Sequence, residues 1–554
     1  MDTVPPRLRP INPNFLHSTY VPCKAEVSRM SEMLTKDTKK LKQYKTEIDL
    51  LRRKLEQLET QEQDLETRIE KCCSVLAVTS QRKLPREIWE NIFHIACFSH
   101  SQGWYRSLII RSDVYRGRRQ KGILSVPIIL THVCSRWREI VTQCPRLWAS
   151  IHIRLWEGYP RSGKKLVKMV LANSAPCPLT LRIFLFNYDV IRERVRATCE
   201  VLADHFSRCE RLFVYFGASA RIDPLTPFRG QNITFNNLGF FSFYGNRSDE
   251  LDIDNPFCQA LRHAPKLTGV ELGYILYPLN LLPNQQITTL SIATLDVHHF
   301  DDFLLVLEVS RCLCALKLKT FYTHRQDDPP GLVPRRVELP CLSNLSICFY
   351  HPPTFNDPML EVLLSSLVLP SLSSYELSCA FPSDITYSHW PSWLCGMLQY
   401  SSATLRHLQL TLSFPYDTVN WDMEPLSVLI NTVPRLDHLH LRVVSRGTFS
   451  DWGESMITHF LSDLADVKSD NAIVPNLTYL CLTKTKLTFD IIRLVVDVAA
   501  SRSPSRLSAM VDVNVRPLEE LRVIHFEPNS PSRFVEPYRE AIEGLERDGV
   551  KIVI

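Results

Sequence analysis

Residues 84–93 of this chain read LPREIWENIF. The proline at position 85 favours a helix that begins there, because a proline in the first helical turn lacks only an N–H that would have no helical partner. After a polar insert, residues 128–138 read IILTHVCSRWR and residues 145–148 read PRLW. Both segments space their apolar residues three or four apart, which places them on one face of a helix. The faces consist of Ile88, Ile92 and Ile95 on the first helix and of Ile129, Val133, Trp137 and Val141 on a second.

Two helices this short cannot bury such faces alone, so they must pack together or against a partner. The order and spacing of the motifs resemble an F-box, most closely that of F-box proteins from mushroom-forming fungi. The resemblance covers residues 80–152, about an eighth of the chain. Its one departure is the insert from Ser99 to about Ser125, which is longer than the short turn usual in the family. The alternative is a buried helical hairpin without a partner.

The resemblance implies that this segment docks on the Skp adaptor subunit of a cullin–RING ubiquitin ligase, as amphipathic helices laid into an apolar groove. The chain would then be a substrate-recognition adaptor and no enzyme, with no catalytic residue, cofactor or metal site of its own. Some of the matching residues, Trp137 and Trp148 especially, are also candidates for holding the F-box together. The residues expected to bind the Skp subunit are Leu84, Pro85, Ile88, Ile92, Phe93, Val133, Cys134, Trp137, Leu147 and Trp148.

The composition is that of an ordinary globular protein, with 45% hydrophobic and 22% charged residues, and 554 residues suggest two to four domains. A net charge of +5 spread over the chain argues against a nucleic-acid binder. The 17 cysteines are scattered and form no zinc signature. No signal-peptide core and no run of ~20 apolar residues is present. We therefore expect an intracellular protein of the cytoplasm or nucleus that does not enter a membrane.

The N-terminal region changes character at about Lys24. Residues 1–23 are rich in proline and are predicted to be disordered. Residues 24–79 carry a heptad repeat that predicts a coiled-coil helix, with Glu62 and Asp37 as its polar exceptions. The apolar residues of the repeat form a seam along one side of the helix, and this seam must be buried. Two alternatives stay open: a homodimer, or folding back of the helix on the rest of the chain. The first seam series is Val27, Leu34, Leu41, Ile48, Leu55, Ile69 and Leu76, and the second is Met30, Tyr44, Leu51, Leu58, Leu65 and Cys72.

The insert at about residues 99–125 is polar and basic, with arginines and lysines concentrated between Arg106 and Lys121. We interpret it as a solvated loop, because no helical register organises its charges. A phosphate-binding arm or a nuclear signal is the alternative.

After Ile151 short strand-like pieces of the form Leu-x-x-Leu-x-Leu recur, often led by proline. From Leu313 onward they return every 29 to 41 residues, with helix-like stretches such as residues 425–430 before several of them. A recurrence of this kind predicts stacked strand–helix units. The triplets are 238/241/243, 267/270/272, 313/316/318, 342/345/347, 372/375/377, 405/408/410, 436/439/441, 477/480/482 and 518/521/523.

This pattern resembles leucine-rich repeats in an irregular form, and the alternative is a non-repeating α/β domain. The last residues predict a strand at 521–524, a helix at 538–547 and a strand at 550–554, with a turn at Asp548 and Gly549. Residues between the repeat leucines, such as Asp437, His438 and His440, are expected to point outward and to recognise an unknown target protein.

Residues 158–165, GYPRSGKK, partly fit a phosphate-binding loop after a strand predicted at residues 150–155. Lys165 stands where a serine or threonine should hold magnesium, and Pro160 removes an N–H from a loop that works by donating them. A linker explains the residues as well. A nucleotide-binding enzyme that uses Lys164 is therefore the least favoured function.

Two further sets of residues could form a metal site or a binding anchor, but we prefer a purely structural explanation for each. Residues 298–302, HHFDD, carry metal-ligand side chains, but a helix N-terminus with its acidic residues near the positive end explains them better. The aromatic pair Trp390 and Trp393 is expected to pack between units rather than to anchor a partner.

The sequence thus predicts a multi-domain α/β protein. A disordered N-terminus (1–23) is followed by a long coiled-coil helix (24–79), a small all-α F-box with its insert (80–152) and an irregular, leucine-rich-repeat-like α/β solenoid (153–554). Its expected partners are the Skp subunit, a target protein and, in one alternative, a second copy of the chain. A scaffold protein that works outside any ubiquitin ligase is the second function that we consider.

Overall fold

The computed structural model describes residues 21–82, 84–98, 108–115, 118–155, 162–185, 193–216, 225–245, 254–274, 281–322, 334–348, 357–380, 389–414, 425–445, 451–467, 472–484, 488–510, 514–525 and 532–554. The chain divides into two compact units, residues 1–89 and residues 90–554. The predicted disorder of residues 1–20 lies outside the described residues.

The described helices differ greatly in length, from 4 to 59 residues. They are α1 (Lys24–Arg82), α2 (Arg86–Phe98), α3 (Val126–Thr131), α4 (Ser135–Thr142), α5 (Gly163–Asn173), α6 (Glu193–Ala203), α7 (Pro256–Arg262), α8 (Phe300–Val309), α9 (Pro358–Ser366), α10 (Ser392–Tyr400), α11 (Leu426–Asn431), α12 (Asp451–Ala465), α13 (Phe489–Ser501), α14 (Pro504–Ser508), α15 (Ser532–Val535) and α16 (Arg539–Arg547).

The described strands are short, between two and eight residues. They are β1 (Leu108–Tyr115), β2 (Arg118–Leu124), β3 (Ser150–Leu155), β4 (Leu179–Leu185), β5 (Cys209–Phe216), β6 (Phe240–Tyr244), β7 (Gly269–Leu272), β8 (Thr289–Ile292), β9 (Leu295–Asp296), β10 (Ala315–Leu318), β11 (Phe321–Tyr322), β12 (Val337–Glu338), β13 (Asn344–Ile347), β14 (Leu367–Val368), β15 (Ser374–Ala380), β16 (His407–Phe414), β17 (His438–Ser445), β18 (Tyr479–Lys484), β19 (Glu520–His525) and β20 (Lys551–Val553).

The first unit is dominated by α1, one uninterrupted helix that contains neither proline nor glycine. The long helix predicted from the heptad repeat is therefore confirmed, and it continues three residues beyond its predicted end. The apolar seam residues from Val27 to Ile69 are exposed, with fractions between 37% at Met30 and 70% at Leu34. The helix is thus presented with an open hydrophobic stripe.

The second unit is built around one large sheet. Sixteen of the described strands form it, in the order β2-β1-β3-β4-β5-β6-β7-β8-β10-β13-β15-β16-β17-β18-β19-β20. From β3 to β20 the neighbours in the sheet follow one another along the chain, and every one of these pairs is parallel. Some helices that follow one another also contact one another, as α5 does α6 and α12 does α13. The protein is therefore of the mixed α/β class, with a long N-terminal helix and a large parallel sheet.

The predicted leucine triplets coincide with the strands of this sheet. The second residue of each triplet pairs with its counterpart on the next strand, as Leu408 does with Leu439 and Leu480 with Leu521. All members of the nine triplets are buried, the most exposed being Phe243 at 4%. Because neighbouring strands place these side chains side by side, each strand covers the apolar edge of the one before it.

The predicted C-terminal strand, helix and strand are confirmed as β19, α16 and β20. Gly549 provides the turn before β20, at a φ of 95° that favours glycine. The helix-like stretch at residues 425–430 is likewise found as α11.

The interpretation of the polar insert as a loop is wrong for the part that the structure describes. β1 and β2 form an antiparallel hairpin, and β1 pairs in parallel with β3, Leu108 being opposite Ile151. The insert thus adds two strands to the sheet. Charged side chains hid this, because arginine and lysine are common on edge strands, where they deter pairing with another chain.

The prediction of a single second helix is also wrong. α3 ends at Thr131 and α4 begins at Ser135, so residues 132–134 form a turn between them. Cys134 has an extended backbone, with φ −158° and ψ 169°, and its Sγ accepts a hydrogen bond from the Trp137 N–H at 3.5 Å. This cap favours a new helix start at residue 135 over a continuous helix. The predicted apolar face is therefore divided between α3, the turn and α4.

One buried cation ties together the C-terminal part of the sheet unit. Arg502 is fully buried, and its guanidinium donates hydrogen bonds to the carbonyl oxygens of Leu464 (3.3 Å), Ile473 (2.5 Å) and Val474 (3.0 Å). Burial lowers its pKa from 12.5 to about 10, so the group is still charged at neutral pH. The three carbonyls come from the end of α12 and from the segment before β18.

Replacement of Arg502 by methionine should destabilise this unit by about 2–4 kcal/mol, because it leaves buried carbonyls without their donors. Chemical unfolding measures the change. The matched control is Arg506→Met on the surface of α14, for which we expect less than about 0.5 kcal/mol. Equal stability of the two variants would contradict the assigned role of Arg502.

Candidate functional site

The short helices of the predicted F-box leave apolar side chains on their surface. In the second unit these are Ile92 and Ile95 on α2, exposed by 41% and 61%, and Ile129 and Val133, exposed by 54% and 55%. Single exposed apolar residues are common, but four exposed β-branched side chains on α2, on α3 and in the turn after α3 are a candidate binding surface. We call these four residues the isoleucine–valine patch.

The opposite side of the same helices forms their own core. Phe93 and Cys97, four residues apart on α2, are buried, and the Phe93 ring meets the Trp137 ring edge-on at 5.0 Å. Trp148 is buried next in chain to Leu147, and its Nε1 donates to the Val141 carbonyl at 2.7 Å. The helices therefore do pack on one another, and the patch is what remains after that packing.

Two thiols take part in this core as apolar groups. Burial, and then the neighbouring Cys144, raise the pKa of the Cys97 thiol to about 12, so the thiol stays protonated at neutral pH. Protonated buried thiols behave like small hydrophobic side chains.

The turn between α3 and α4 is held by side chain to backbone hydrogen bonds. Arg138 Nε donates to the Thr131 carbonyl at 2.9 Å, and Ser125 Oγ accepts from the Ile128 N–H at 3.4 Å. Together with the Cys134 cap, these bonds fix the turn so that Val133 and Cys134 lie on the surface.

The first unit contributes the start of the motif. Leu84, Pro85 and Ile88 are exposed, whereas Trp89 is buried. The ten residues expected to bind the Skp subunit thus separate by burial, which sequence alone left undecided. Six are exposed, Trp137 is half-buried, and three are buried and so act by packing rather than by direct contact. The exposed six are Leu84, Pro85, Ile88, Ile92, Val133 and Cys134, and the buried three are Phe93, Leu147 and Trp148.

This separation predicts opposite results for two substitutions. Trp148→Ala should destabilise the second unit by about 3–5 kcal/mol, since it empties a buried site and removes the bond to Val141. Ile129→Ala should change stability by less than about 0.5 kcal/mol, because its side chain is already in solvent. Thermal unfolding of both variants checks the assignment, which a large loss for Ile129→Ala would contradict.

A second candidate surface lies on the sheet, on the side chains that alternate with the buried leucines. At β3 to β6 it carries a column of four rings, which sequence analysis did not identify. The rings of His152 and Phe184 stack at 4.6 Å, those of Phe184 and Tyr215 at 4.3 Å, and those of Tyr215 and Tyr244 at 5.1 Å, all within 12° of parallel. Phe184, Tyr215 and Tyr244 stand opposite one another on β4, β5 and β6, whereas His152 lies two residues before the matching position on β3.

Arginines accompany these rings in the neighbouring rows. The Arg182 guanidinium lies 4.3 Å from the centre of the Phe213 ring, and that of Arg211 lies 5.0 Å from the centre of the Phe240 ring. Such stacking holds flat cationic groups on the sheet. Aromatic residues and arginine are the types enriched at protein interfaces, so we call β3–β6 the aromatic–arginine face.

The sheet continues as a polar surface towards its C-terminal strands. Glu271 on β7 accepts hydrogen bonds from Lys319 Nζ at 2.5 Å and from the Tyr244 hydroxyl at 2.8 Å. Burial opposes ionisation of Glu271, but these bonds outweigh it and lower the pKa of its carboxyl. Further along, Glu376 accepts from Ser346 at 2.6 Å and from Gln409 at 2.9 Å. These bonds cross from strand to strand and keep the side chains in place.

The residues predicted to point outward from β17 are half-buried. Asp437 lies 4.0 Å from Arg406, and His438 has its ring 4.3 Å from that of His407. His440 Nε2 lies 2.9 Å from Thr483 Oγ1. They therefore lie on the open side of the sheet but already interact with neighbouring strands.

Burial, followed by Arg442, lowers the pKa of His440, and burial, followed by His438, lowers the pKa of His407. Both imidazoles are thus kept neutral in the folded protein below 6.5, the value expected when unfolded. The unfolded chain then binds more protons, so stability is complete above this value and is lost as the pH falls below it.

We therefore expect His440→Gln to reduce the loss of stability between pH 7 and pH 5, since glutamine keeps a hydrogen-bonding group near Thr483 but does not titrate. Unfolding at several pH values measures this. His263→Gln, at an exposed position, controls for the removal of a histidine. An unchanged pH slope in His440→Gln would contradict the assignment.

The remaining sequence candidates have structural explanations where they are described. Asp296 caps the turn before α8 through the His298 N–H at 3.1 Å, and Asp301 and Asp302 lie in the first turn of α8, as predicted. Trp390 and Trp393 are buried, which confirms packing. The strand predicted at residues 150–155 is β3, and Lys164 lies in the first turn of α5, but residues 156–161 of the candidate phosphate loop lie outside the described residues.

Two features are absent from the described part of the chain. It contains no group of three or more histidine, cysteine, aspartate or glutamate side chains placed to hold a metal ion. It also contains no helix with the length and apolar content needed to cross a bilayer.

Comparison with known proteins found no family model that matches the chain and no curated protein with significant sequence similarity to it. The resemblance to an F-box therefore rests on the motifs of residues 84–148 themselves.

Proposed function

We propose that this protein is a substrate-recognition adaptor of a Skp–cullin–F-box type ubiquitin ligase. Residues 80–152 are its F-box, which docks on the Skp subunit. Residues 153–554 act as an irregular leucine-rich-repeat-like solenoid that presents its open sheet face to a target protein. Ubiquitin transfer belongs to other subunits, so the chain has no catalytic step of its own.

The observation that carries the proposal is the isoleucine–valine patch. Its four side chains stay exposed although the helices that bear them have a well-packed core of their own. Leu84, Pro85 and Ile88 present further apolar surface on the first unit. Apolar side chains on short helices are the anchors by which amphipathic helices bind an apolar groove. The patch thus has the chemistry that docking on a Skp subunit requires.

The sheet face supports the second half of the proposal. Its aromatic–arginine face joins flat apolar groups with fixed cations, a combination that contributes strongly to protein interfaces. The rings and guanidinium groups are pre-organised by stacking on one another, so a partner would lose little side-chain entropy in ordering them. We therefore assign target recognition to β3–β6, with the polar rows of β7–β19 as its continuation.

Cysteine chemistry supports an intracellular location in the cytoplasm or nucleus. All seventeen cysteines of the chain are described, and no disulfide joins any two of them. Many cysteines without a disulfide, several of them exposed, are typical of proteins in reducing compartments.

Capture of a purified Skp subunit by the full chain tests the proposal. Ile92→Asp combined with Ile129→Asp should weaken binding at least about thirtyfold, since each charge would enter an apolar groove. Leu84→Ala combined with Pro85→Ala should weaken it in the same direction.

The control for this experiment is Val428→Asp, which places the same charge on an equally exposed valine of α11. It should bind like the wild type, and all variants should keep the wild-type unfolding temperature. Undiminished capture by the Ile92→Asp and Ile129→Asp variant would contradict the docking surface, and absence of capture by the wild type would contradict the proposal itself.

A second candidate is a scaffold that binds the Skp subunit but works outside any ligase. The length and exposed seam of α1 favour it, since a long helix with an open apolar stripe is an assembly element. Reconstitution separates the two functions. An adaptor bridges to the cullin through the Skp subunit, whereas a scaffold that retains Skp alone does not recruit the cullin.

A further inference from the structure

We infer that α1 pairs with α1 of a second copy of this chain in an antiparallel coiled coil, in the register that places Leu55 opposite Leu58 of the partner subunit. This inference concerns the first unit and does not depend on the adaptor function. It rests on three features of α1: an open seam, an asymmetric distribution of charge, and the positions of the polar residues that interrupt the seam.

The open seam needs a partner of matching length. Apolar residues occupy eleven of the thirteen seam positions between Val27 and Ile69, and all eleven are exposed over most of a 59-residue helix. A second α1 provides an apolar stripe of the same length and the same spacing. Knobs-into-holes packing would then bury both stripes at once.

The charges of α1 separate into two blocks. Residues 36–54 hold eight basic and three acidic side chains, whereas residues 55–70 hold six acidic and one basic. A parallel pair would place each block beside its own copy, so that charges of predominantly one sign lie side by side, although Glu47 would flank Arg52 of the partner subunit and Lys54 would flank Glu59 of the partner subunit. An antiparallel pair places the basic block beside the acidic block, which is attractive.

The polar seam residues lead to the same orientation. In a parallel pair in register, Asp37 would face Asp37 of the partner subunit, and Glu62 would face Glu62 of the partner subunit, inside the apolar interface. Lys40 would in addition flank Lys45 of the partner subunit. Buried like charges are strongly unfavourable.

The proposed antiparallel register removes these conflicts. Glu62 faces Leu51 of the partner subunit, and Ile48 faces Leu65 of the partner subunit. In an antiparallel coiled coil the residue before each first-series seam position (heptad position g) lies beside a g residue of the partner. The residue after each second-series seam position (heptad position e) likewise lies beside an e residue of the partner. Three flanking pairs result, each occurring twice by symmetry: Lys45 with Glu66, Arg52 with Glu59 and Glu47 with Arg68 of the partner subunit.

Neighbouring antiparallel registers lack this match. A shift by one heptad in one direction brings Arg52 and Lys54 each opposite its own copy. The opposite shift brings Glu59 opposite its own copy and Lys54 opposite Arg68 of the partner subunit. Of these three registers, only the one centred between Glu56 and Gln57 has opposite charges in every pair of charged flanking residues.

A native cysteine provides a sharp test, because a disulfide requires Cα atoms within about 7 Å of each other. Cys72 lies in the seam, and in the proposed register it faces Leu41 of the partner subunit. The full-length chain would carry Leu41→Cys in a background of Cys23→Ser and Cys73→Ser. Mild oxidation and peptide mapping should then show a Leu41→Cys to Cys72 link between subunits.

Two matched variants complete this test. Ile48→Cys in the same background should give no such link, because position 48 faces Leu65 of the partner subunit. Addition of Cys72→Ser to Leu41→Cys should abolish the link. A Cys72–Cys72 link, or a link between two copies of Leu41→Cys, would show a parallel pair and overturn the inference. A monomer by light scattering at tens of micromolar would overturn it as well.

Charge exchange tests the register without cysteines. Glu59→Lys with Glu66→Lys turns four attractive contacts of the dimer into repulsive ones and should raise its dissociation constant at least about tenfold. Addition of Lys45→Glu and Arg52→Glu restores every pair in the proposed register and should return the constant to near its original value. Failure of this rescue, with helix content unchanged, would contradict the register.

Discussion

The second unit depends on the in-register pairing of its parallel strands. Leu316, Leu345, Tyr375, Leu408, Leu439, Leu480 and Leu521 stand opposite one another on seven successive strands. No strand of four to eight residues could bury such side chains alone, so every strand is stable only because its neighbours are in place. The same pairing fixes the other side of the sheet, where alternate residues must also form rows. The stacked rings of β3–β6 and the hydrogen bonds that Glu271 of β7 and Glu376 of β15 accept from neighbouring strands follow from this one constraint.

The sequence indicated the strands well where the leucine pattern was complete. The nine triplets, the final strand–helix–strand and the long helix α1 were all found at the predicted places, because an apolar face imposes a strict period whether it is buried, as in the strands, or exposed, as on α1. The interpretation missed β8, which lies only twenty residues after β7. It also missed β4 and β5, which lack the full leucine triplet, and β1 and β2, whose basic residues suggested a solvated loop. In these places the local pattern was too short or too polar, and pairing with a neighbour decided the structure.

The predicted F-box shows a different limit. The motif indicated helices in the right part of the chain, but it missed the turn at residues 132–134 and could not tell which of its apolar residues face inward. Phe93, Leu147 and Trp148 form the core, whereas Ile92 and Val133 of the same motif are exposed. Periodicity alone gives the faces of a helix, and only packing tells which face is covered. The column of rings on the sheet was missed for a related reason, since its members are far apart in the chain and meet only through the strand order.

The hairpin of β1 and β2 has a consequence for mechanics. It is inserted between α2 and α3, and yet β1 is hydrogen-bonded to β3 at the start of the large sheet. The hairpin, which continues through Ser125 into α3, is therefore tied by backbone hydrogen bonds to β3, the first strand of the aromatic–arginine face. A force applied to α3 along the chain would pass through Ser125 into β2 and from there across the hairpin to the large sheet.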